Sequence, residues 1–464
     1  MFMSEVSITF LGAAETVTGS RFLVTSAKSS ILVDCGMFQG TKEIRQRNWD
    51  PFPASISSID AVVLTHAHLD HSGYLPLIVK QGYKNPIHST LYTEKLAGLV
   101  LRDSAHLQTG DAKFAAMKKY SDHPAPKALY ELEDVEITLK LFQSHPFHEK
   151  IQVSTDCWVT FYPSGHILGS SFLLLEIADK KLIFTSDMGR PNHPLLSPPD
   201  SPPTIKVDAV ITESTYGNRL HDTDVSIFAK EINDGIKRGG QILIPAFAID
   251  RTEVILMAIR DLIEKKEIPA LPVYVDSPMA IAALGLYREA VRDNVDEIRE
   301  GISEHWKSQD PFDAGGLFQA FSTEESKALK DIEGSGILIS ASGMASGGRV
   351  VHHLANMLPD PKNSVILVGY QSIGTRGRML EDGAREVKIH GDWVKVNAHI
   401  SKVESFSVHA DSDELVNWLK KVDLSGAAYI VHGELEGQEV MQTRLEKELN
   451  WKAIIPKAEY KYSL

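Results

Sequence analysis

Thr65-His66-Ala67-His68-Leu69-Asp70-His71 follows directly on an apolar strand-like run, Ala61–Thr65, and the reading of the whole chain starts there. Imidazole and carboxylate are the usual ligands of zinc and similar ions. Four such side chains fall within six residues here. A loop at a strand end can aim its first two histidines at one ion. The aspartate and the third histidine then reach a second ion nearby. Histidine-rich surface stretches also take up metal adventitiously, and for a lone His-x-His that explanation is the better one. An apolar strand in front and an Asp-His behind favour a built metal site.

Further candidates sit at equivalent places along the chain. His166, in Ser164-Gly165-His166, follows the run Trp158–Tyr162; Asp187, in Thr185-Ser186-Asp187, follows Leu182–Thr185. His432, in Val431-His432-Gly433-Glu434, follows Ala428–Val431. Any one of them alone is more often a loop residue satisfied by a hydrogen bond. As a set they supply what the first motif lacks, a third histidine for each of two ions and a carboxylate able to bridge them.

The order of the apolar runs suggests two kinds of architecture. Val6–Leu11, Phe22–Val24, Ile31–Cys35 and Ala61–Thr65 read mostly as hairpins, and Phe172–Ile177 with Leu182–Thr185 flanks a short turn at Ala178–Lys181. Leu91–Tyr120 and Pro126–Leu132 read as amphipathic helices. From about Gly217 the rhythm changes. Gln241–Pro245, Val273–Asp276, Gly336–Ser340 and Ser364–Val368 are strands separated by helical stretches such as Thr252–Lys265 and Met279–Glu300. That alternation predicts a parallel α/β unit with ligands beyond the carboxyl ends of its strands. The tail adds a strand, Ala428–His432, and a helix, Gly437–Leu449. No tandem repeat or low-complexity linker interrupts the chain; Pro194–Pro203 is one proline-rich loop.

Composition narrows the class. The 464 residues are 43% hydrophobic, 23% charged and 8% aromatic, which is globular and excludes a disordered or fibrous chain. No apolar run approaches the roughly 20 residues that span a bilayer. The start lacks a basic stretch before an apolar core, and Cys35 and Cys157 cannot build a disulfide framework. A cytoplasmic protein is the expectation. Lys plus Arg is 48 against 61 Asp plus Glu, a net charge of −13, although proteins gripping nucleic acid by counterion release are usually basic. A polyanionic partner would need a local basic patch or bound metal. Eighteen histidines stand out, because several of them cluster.

At these residues the sequence resembles the metallo-β-lactamase-fold hydrolases of the β-CASP family, which process nucleic acids, over nearly its whole length. Asp34, in Leu32-Val33-Asp34-Cys35-Gly36, matches the fold's first motif, an aspartate that orients the metal loop and is not a ligand. Thr212-Glu213-Ser214-Thr215-Tyr216-Gly217 resembles the acidic motif of the branch. Ser405-Phe406-Ser407-Val408-His409-Ala410-Asp411 resembles its second motif, where a small residue is commoner than Val408. Val431-His432-Gly433-Glu434 resembles its third, and Pro245-Ala246-Phe247-Ala248 and Ala341–Arg349 are similar to family segments. Within the family the chain most resembles compact bacterial ribonucleases related to the endonuclease of mRNA 3′-end processing, without the KH-type extension of archaeal relatives or the carboxyl-terminal domain of RNase J.

The resemblance implies an αββα metallo-β-lactamase sandwich, an α/β fold, at 1–217 and 400–464. An inserted β-CASP α/β domain, a parallel sheet flanked by helices, occupies 218–399. It implies two zinc ions per chain, one on His66, His68 and His166, the other on Asp70, His71 and His432, with Asp187 bridging. Two ions about 3.5–4 Å apart share a hydroxide and clamp a phosphate oxygen. His409 is the candidate general acid, with Glu213 keeping it charged and oriented. Ser342, Gly343, Gly348, Arg349 and the run Arg376, Arg378, Arg385 and Lys388 are candidates for phosphate or RNA contacts, with solvated surface and a tight glycine turn as the plain alternatives. His145, His148, His352 and His353 carry no assignment.

The expected activity is zinc-dependent hydrolysis of single-stranded RNA, leaving a 5′-phosphate and a 3′-hydroxyl. A 5′-exonuclease mode and a DNA nuclease stay open, although DNA-processing relatives tend to carry valine where His432 stands. A small-molecule hydrolase fits poorly with so large an insertion, which would build a groove suited to a polymer. A non-catalytic scaffold would have lost ligands, and none is missing. No membrane partner is expected, and a homodimer is left open.

Overall fold

In the computed structural model of the chain, residues 6–118, 127–221, 224–306, 310–332 and 334–464 are described. Two compact units result, Met1–Leu220 with His409–Leu464, and His221–Val408.

The first unit is built from two seven-stranded sheets. In one, Ser7–Phe10, Phe22–Thr25 and Ser30–Val33 pair antiparallel, as the hairpin reading expects. Ala61–Val63 and the strands after it, Ile87–Thr90 and Phe142–His145, instead join parallel. The hairpin expectation therefore stops at Val33. The connection to Ala61 is too long for a hairpin, and it returns the chain in the same direction. The second sheet takes Cys157–Pro163, Ser171–Ile177 and Lys180–Phe184 as a meander, then Lys206–Thr212 and Asp423–Ile430 in parallel.

Alternation decides the layers. Ile8, Phe10, Val24, Ile31, Val33 and Val63 face Val159, Phe161, Leu173, Leu175, Phe184 and Ile211 in one buried cluster between the sheets. The opposite face of the second sheet, with Phe172, Leu174, Ile183, Val210 and Ile430, is covered by Leu415, Val416, Leu419, Met441 and Leu445. Those residues come from helices Ser412–Leu419 and Leu435–Glu448. Helix Leu91–Lys118 packs on strands Ile87–Thr90 and Phe142–His145 of the first sheet. The layering is αββα. The loops after Ala61–Val63, Cys157–Pro163, Lys180–Phe184 and Asp423–Ile430 come together.

One helix expectation is corrected. Residues 127–131 are not helical; the helix runs Leu132–Leu139 and begins where Glu131 and Asp134 form a reciprocal cap. Pro126, Lys119 and Tyr120 lie outside the described residues.

The second unit has a six-stranded sheet in which every pair is parallel, with Ile242–Pro245 and Ile337–Ser340 at its centre. Its strands read as continuous apolar runs because helices cover both faces. His399–Lys402 is the last strand of this sheet. A two-stranded hairpin, Glu386–Ile389 with Asp392–Lys395, packs beside it. No helix among the described residues is long and apolar enough to cross a membrane.

Candidate metal centre

Each candidate ligand of the first unit leaves the end of a strand. His66 and His68 follow Ala61–Val63, His166 follows Cys157–Pro163, Asp187 follows Lys180–Phe184 and His432 follows Asp423–Ile430. Asp70 and His71 open the short helix Leu69–Ser72. Register along the two sheets brings these ends together from residues up to 366 positions apart.

Two sets of donors form. His68 Nδ1 lies 3.2 Å from His66 Nε2 and 3.2 Å from His166 Nε2. His432 Nε2 lies 3.2 Å from His71 Nε2 and 3.2 Å from Asp70 Oδ2. Asp187 stands between the sets. Its Oδ2 is 3.4 Å from His66 Nε2 and 3.6 Å from His166 Nε2, while its Oδ1 is 3.3 Å from His71 Nε2 and 3.6 Å from His432 Nδ1. Imidazole nitrogens do not crowd in this way to bond one another. Ligands about 2.0–2.1 Å from a tetrahedral ion sit about 3.3 Å apart along each edge. The observed spacings match that edge, so the donor set fits a pair of such ions.

Protonation follows the same division. Burial lowers His66, pushes His68 down to about 3 and carries His166 well below the usual imidazole value. Those rings are neutral and offer lone pairs. His71 and His432 are also buried, but the charges of Asp187, Asp34 and Asp70 outweigh burial and raise both. In Asp70 and Asp187 burial works upward, and the surrounding imidazoles win and lower both. A cation bound beside His71 and His432 would compete with the protons that these carboxylates favour on the two rings.

A ring of hydrogen bonds fixes the ligands. Asp34 accepts from the Thr65 amide at 2.8 Å and from its hydroxyl at 2.9 Å, and lies 2.7 Å from His71 Nδ1. It thus ties the two ends of the metal loop together. Thr65 and Ser186 hydroxyls meet His66 Nδ1 at 3.2 and 3.3 Å, and Thr215 Oγ1 meets His432 Nδ1 at 3.1 Å. The sequence reading passed over these hydroxyls. Thr65 stands beside the motif it serves, whereas Ser186 and Thr215 lie in other motifs and reach His66 and His432 only through the fold.

His409 faces the centre. Its Nδ1 is 3.3 Å from Glu213 Oε2 and 4.0 Å from Asp187 Oδ2, and its ring lies 4.3 Å from that of His166. Glu213 is buried, and its other oxygen accepts the Met188 amide at 2.6 Å. The remaining sequence candidates lie in the second unit. Arg349 donates to Asp276 at 2.7 Å and to the carbonyls of Ala320 and Phe321. Arg376 donates to the carbonyls of Lys388 and Ala345. Any RNA contact by these arginines has to compete with those bonds. Ser342 Oγ accepts from the Ser346 amide at 3.0 Å; Gly343 packs on Phe247, and Gly348, at φ +73°, precedes helix Arg349–Met357.

One glycine holds the metal loop in place. A Cβ on Gly36 would stand 1.6 Å from the Asp70 carbonyl oxygen and 2.8 Å from the His71 amide nitrogen, both backbone atoms that cannot turn aside. Gly36→Ala is therefore expected to displace the 70–71 backbone. It should destabilise the protein by about 1–3 kcal/mol or more and lower the zinc retained after gel filtration. Calorimetry and metal analysis on the same sample check both; a variant that melts and binds zinc like wild type sinks the argument.

Residues 17–217 match the metallo-beta-lactamase superfamily, 252–380 the Beta-Casp domain and 393–456 the Zn-dependent metallo-hydrolase RNA specificity domain. The sequence is 35% identical over 428 residues to Ribonuclease TTHA0252 of Thermus thermophilus, covering 92% of each chain. The chain belongs to the β-CASP family of metallo-β-lactamase-fold hydrolases. It is also 31% identical to an RNase J-like protein of Methanocaldococcus jannaschii, covering 92% of this chain and 93% of that one. With Transcription termination factor FttA of Methanosarcina mazei it shares 31% identity over 90% of this chain, which spans 65% of that relative. A solved structure from Enterococcus faecalis, of unknown function, aligns over 99% of this chain and 100% of its own with a TM-score of 0.54. At 14% identity that likeness concerns the fold alone.

Proposed function

We propose that this β-CASP hydrolase is a zinc-dependent ribonuclease that cuts single-stranded RNA endonucleolytically in the cytoplasm, leaving a 5′-phosphate and a 3′-hydroxyl. The observation that carries the reading is the placement of Asp187, with one oxygen toward each of two ligand sets and His409 at their edge. His66, His68 and His166 would hold one ion, Asp70, His71 and His432 the other, and Asp187 both. Bound there, a zinc pair supplies positive charge against a phosphate oxygen and makes water more acidic. Asp34 keeps the metal loop in register. With His409 Nδ1 directed at Glu213, Nε2 is the nitrogen that would pass a proton to the departing 3′ oxygen. The relatives named as ribonucleases support RNA as substrate. The catalytic sandwich would take 1–220 and 409–464 and the β-CASP insertion 221–408, a later return than residue 400, since strand His399–Lys402 pairs within the insertion's sheet.

An internally labelled single-stranded RNA tests this. Zinc-dependent release of internal fragments is the expected result. Mononucleotides released from the 5′ end would keep the chemistry and replace the mode. Cleavage of DNA with RNA left intact would overturn the substrate.

A further inference from the structure

We propose that the outer face of the 386–395 hairpin docks single-stranded RNA, with a base stacked on Trp393 and phosphates against Lys388 and Lys395. The proposal rests on the ribonuclease reading and adds to it a contact remote from the metal ligands in sequence.

Strand alternation separates the hairpin into two faces. Glu386 pairs with Lys395, Val387 with Val394, Lys388 with Trp393 and Ile389 with Asp392. Val387 and Ile389 are buried in the cluster formed with Leu354, Leu380 and Val365, and Val394 packs against it. That inner face is sufficient to hold the hairpin on the unit. Glu386, Lys388, Trp393 and Lys395 share the outer face, and all four are exposed. Trp393 is 61% exposed. Most of this indole is left in water, and burial of that surface remains available to a ligand.

The pattern around the indole selects the ligand. Lys388 stands directly across from Trp393, and Lys395 lies two residues along the same face. Two lysines thus share the outer face with one indole, and Glu386 is the single acid on that face. In a chain of net charge −13 the outer face carries two lysines against one acid, while Asp392 belongs to the register of the other face. At the turn of the hairpin His390 stacks on His352, ring centroids 4.4 Å apart, and both are exposed. A single strand of RNA presents planar bases between phosphates, and aromatic platforms set among basic side chains are how such strands are held. A second copy of this chain fits less well. An isologous contact through the strip would set the two lysines against their own copies.

Binding of a fluorescein-labelled oligouridylate, followed by anisotropy on Asp187→Ala protein so that nothing is cleaved, provides the test. Adding Trp393→Ala should weaken binding about tenfold, as loss of one stacked base implies. Adding Lys388→Gln and Lys395→Gln should lower the slope of log affinity against log salt by about 1.4, roughly 0.7 per phosphate contact. That second arm leaves the indole in place and does not depend on how the tryptophan variant folds. Trp49→Ala, at a tryptophan 60% exposed in the other unit, should change neither quantity. If the parent binds RNA and the hairpin variants match it in affinity and salt slope, the docking strip is wrong and the ribonuclease reading stands. If the parent binds no RNA, the docking strip is overturned, while the ribonuclease reading is decided separately by the cleavage assay on wild-type protein. A change from dimer to monomer on sedimentation, with RNA affinity unaltered, would assign the face to a second copy and also overturn the proposal.

Discussion

Asp187→Ala is expected to lower kcat/KM for RNA by at least on the order of 10³-fold and to leave fewer than two zinc ions on the purified chain. Loss of one partner that merely orients a metal ligand typically costs about 10–100-fold, and Asp187 is placed as a ligand to both sets at once. Its two oxygens stand 3.3–3.6 Å from four imidazole nitrogens, two in each set. No neighbouring carboxylate duplicates that reach, because Asp70 lies with His432 on one side only. The charge matters as much as the position. Asp187 is first among the groups that raise His71 and His432 against the effect of burial. A metal ion would have to compete with protons on those two rings, so loading of that set should weaken as pH falls. Asp187→Asn separates shape from charge, and should also lose zinc. Metal analysis beside a cleavage assay decides the matter; an alanine variant that keeps two ions and cuts RNA would remove Asp187 from the centre.

His409→Ala has the second largest expected effect, a fall of about 10²–10⁴-fold in kcat for RNA with zinc content unchanged. The ring is not among the spaced ligand sets, yet its Nδ1 is 3.3 Å from Glu213 Oε2 and its plane lies beside His166. A group so placed can move a proton at the edge of the site without holding metal. Leaving-group chemistry tests that role directly. RNA needs a proton on its departing 3′ oxygen, whereas bis(p-nitrophenyl) phosphate releases an anion that needs none. His409→Ala should therefore lose far more activity on RNA than on the activated diester. Equal losses on both would mean that His409 acts by position or binding and transfers no proton. Glu213→Gln should show the same imbalance, more weakly, since it disturbs the acid through its partner.

The fold was legible where the pattern was local. Antiparallel pairing of Ser7–Phe10 through Val33 could be read from short apolar runs, but the parallel entry of Ala61–Val63 could not. Direction depends on where a long connection returns, and no nearby residue encodes it. The helix expected at Pro126–Leu132 shifted to Leu132–Leu139 because the cap at Glu131 is set by side-chain geometry, which a periodicity count does not register.

Of the site, the residue types and their spacing were determined by the sequence alone. His66, His68, Asp70 and His71 within one turn of loop already favour a metal site, positions at strand ends add His166, Asp187 and His432, and motif resemblance supplies Asp34, Glu213 and His409. Tertiary structure decided which atoms meet. That Asp187 turns one oxygen to each set, that Thr65, Ser186 and Thr215 lock the rings, and that Gly36 admits the Asp70 carbonyl are consequences of two sheets closing on one core. Arg349 and Arg376, basic and so plausible RNA contacts in sequence, have their donors on Asp276 and on backbone carbonyls in the folded unit. Trp393 is the converse, a large apolar side chain that the fold leaves 61% exposed. The reason is the same for both: a residue's type sets what bonds it can make, whereas the fold determines which partner is within 3 Å.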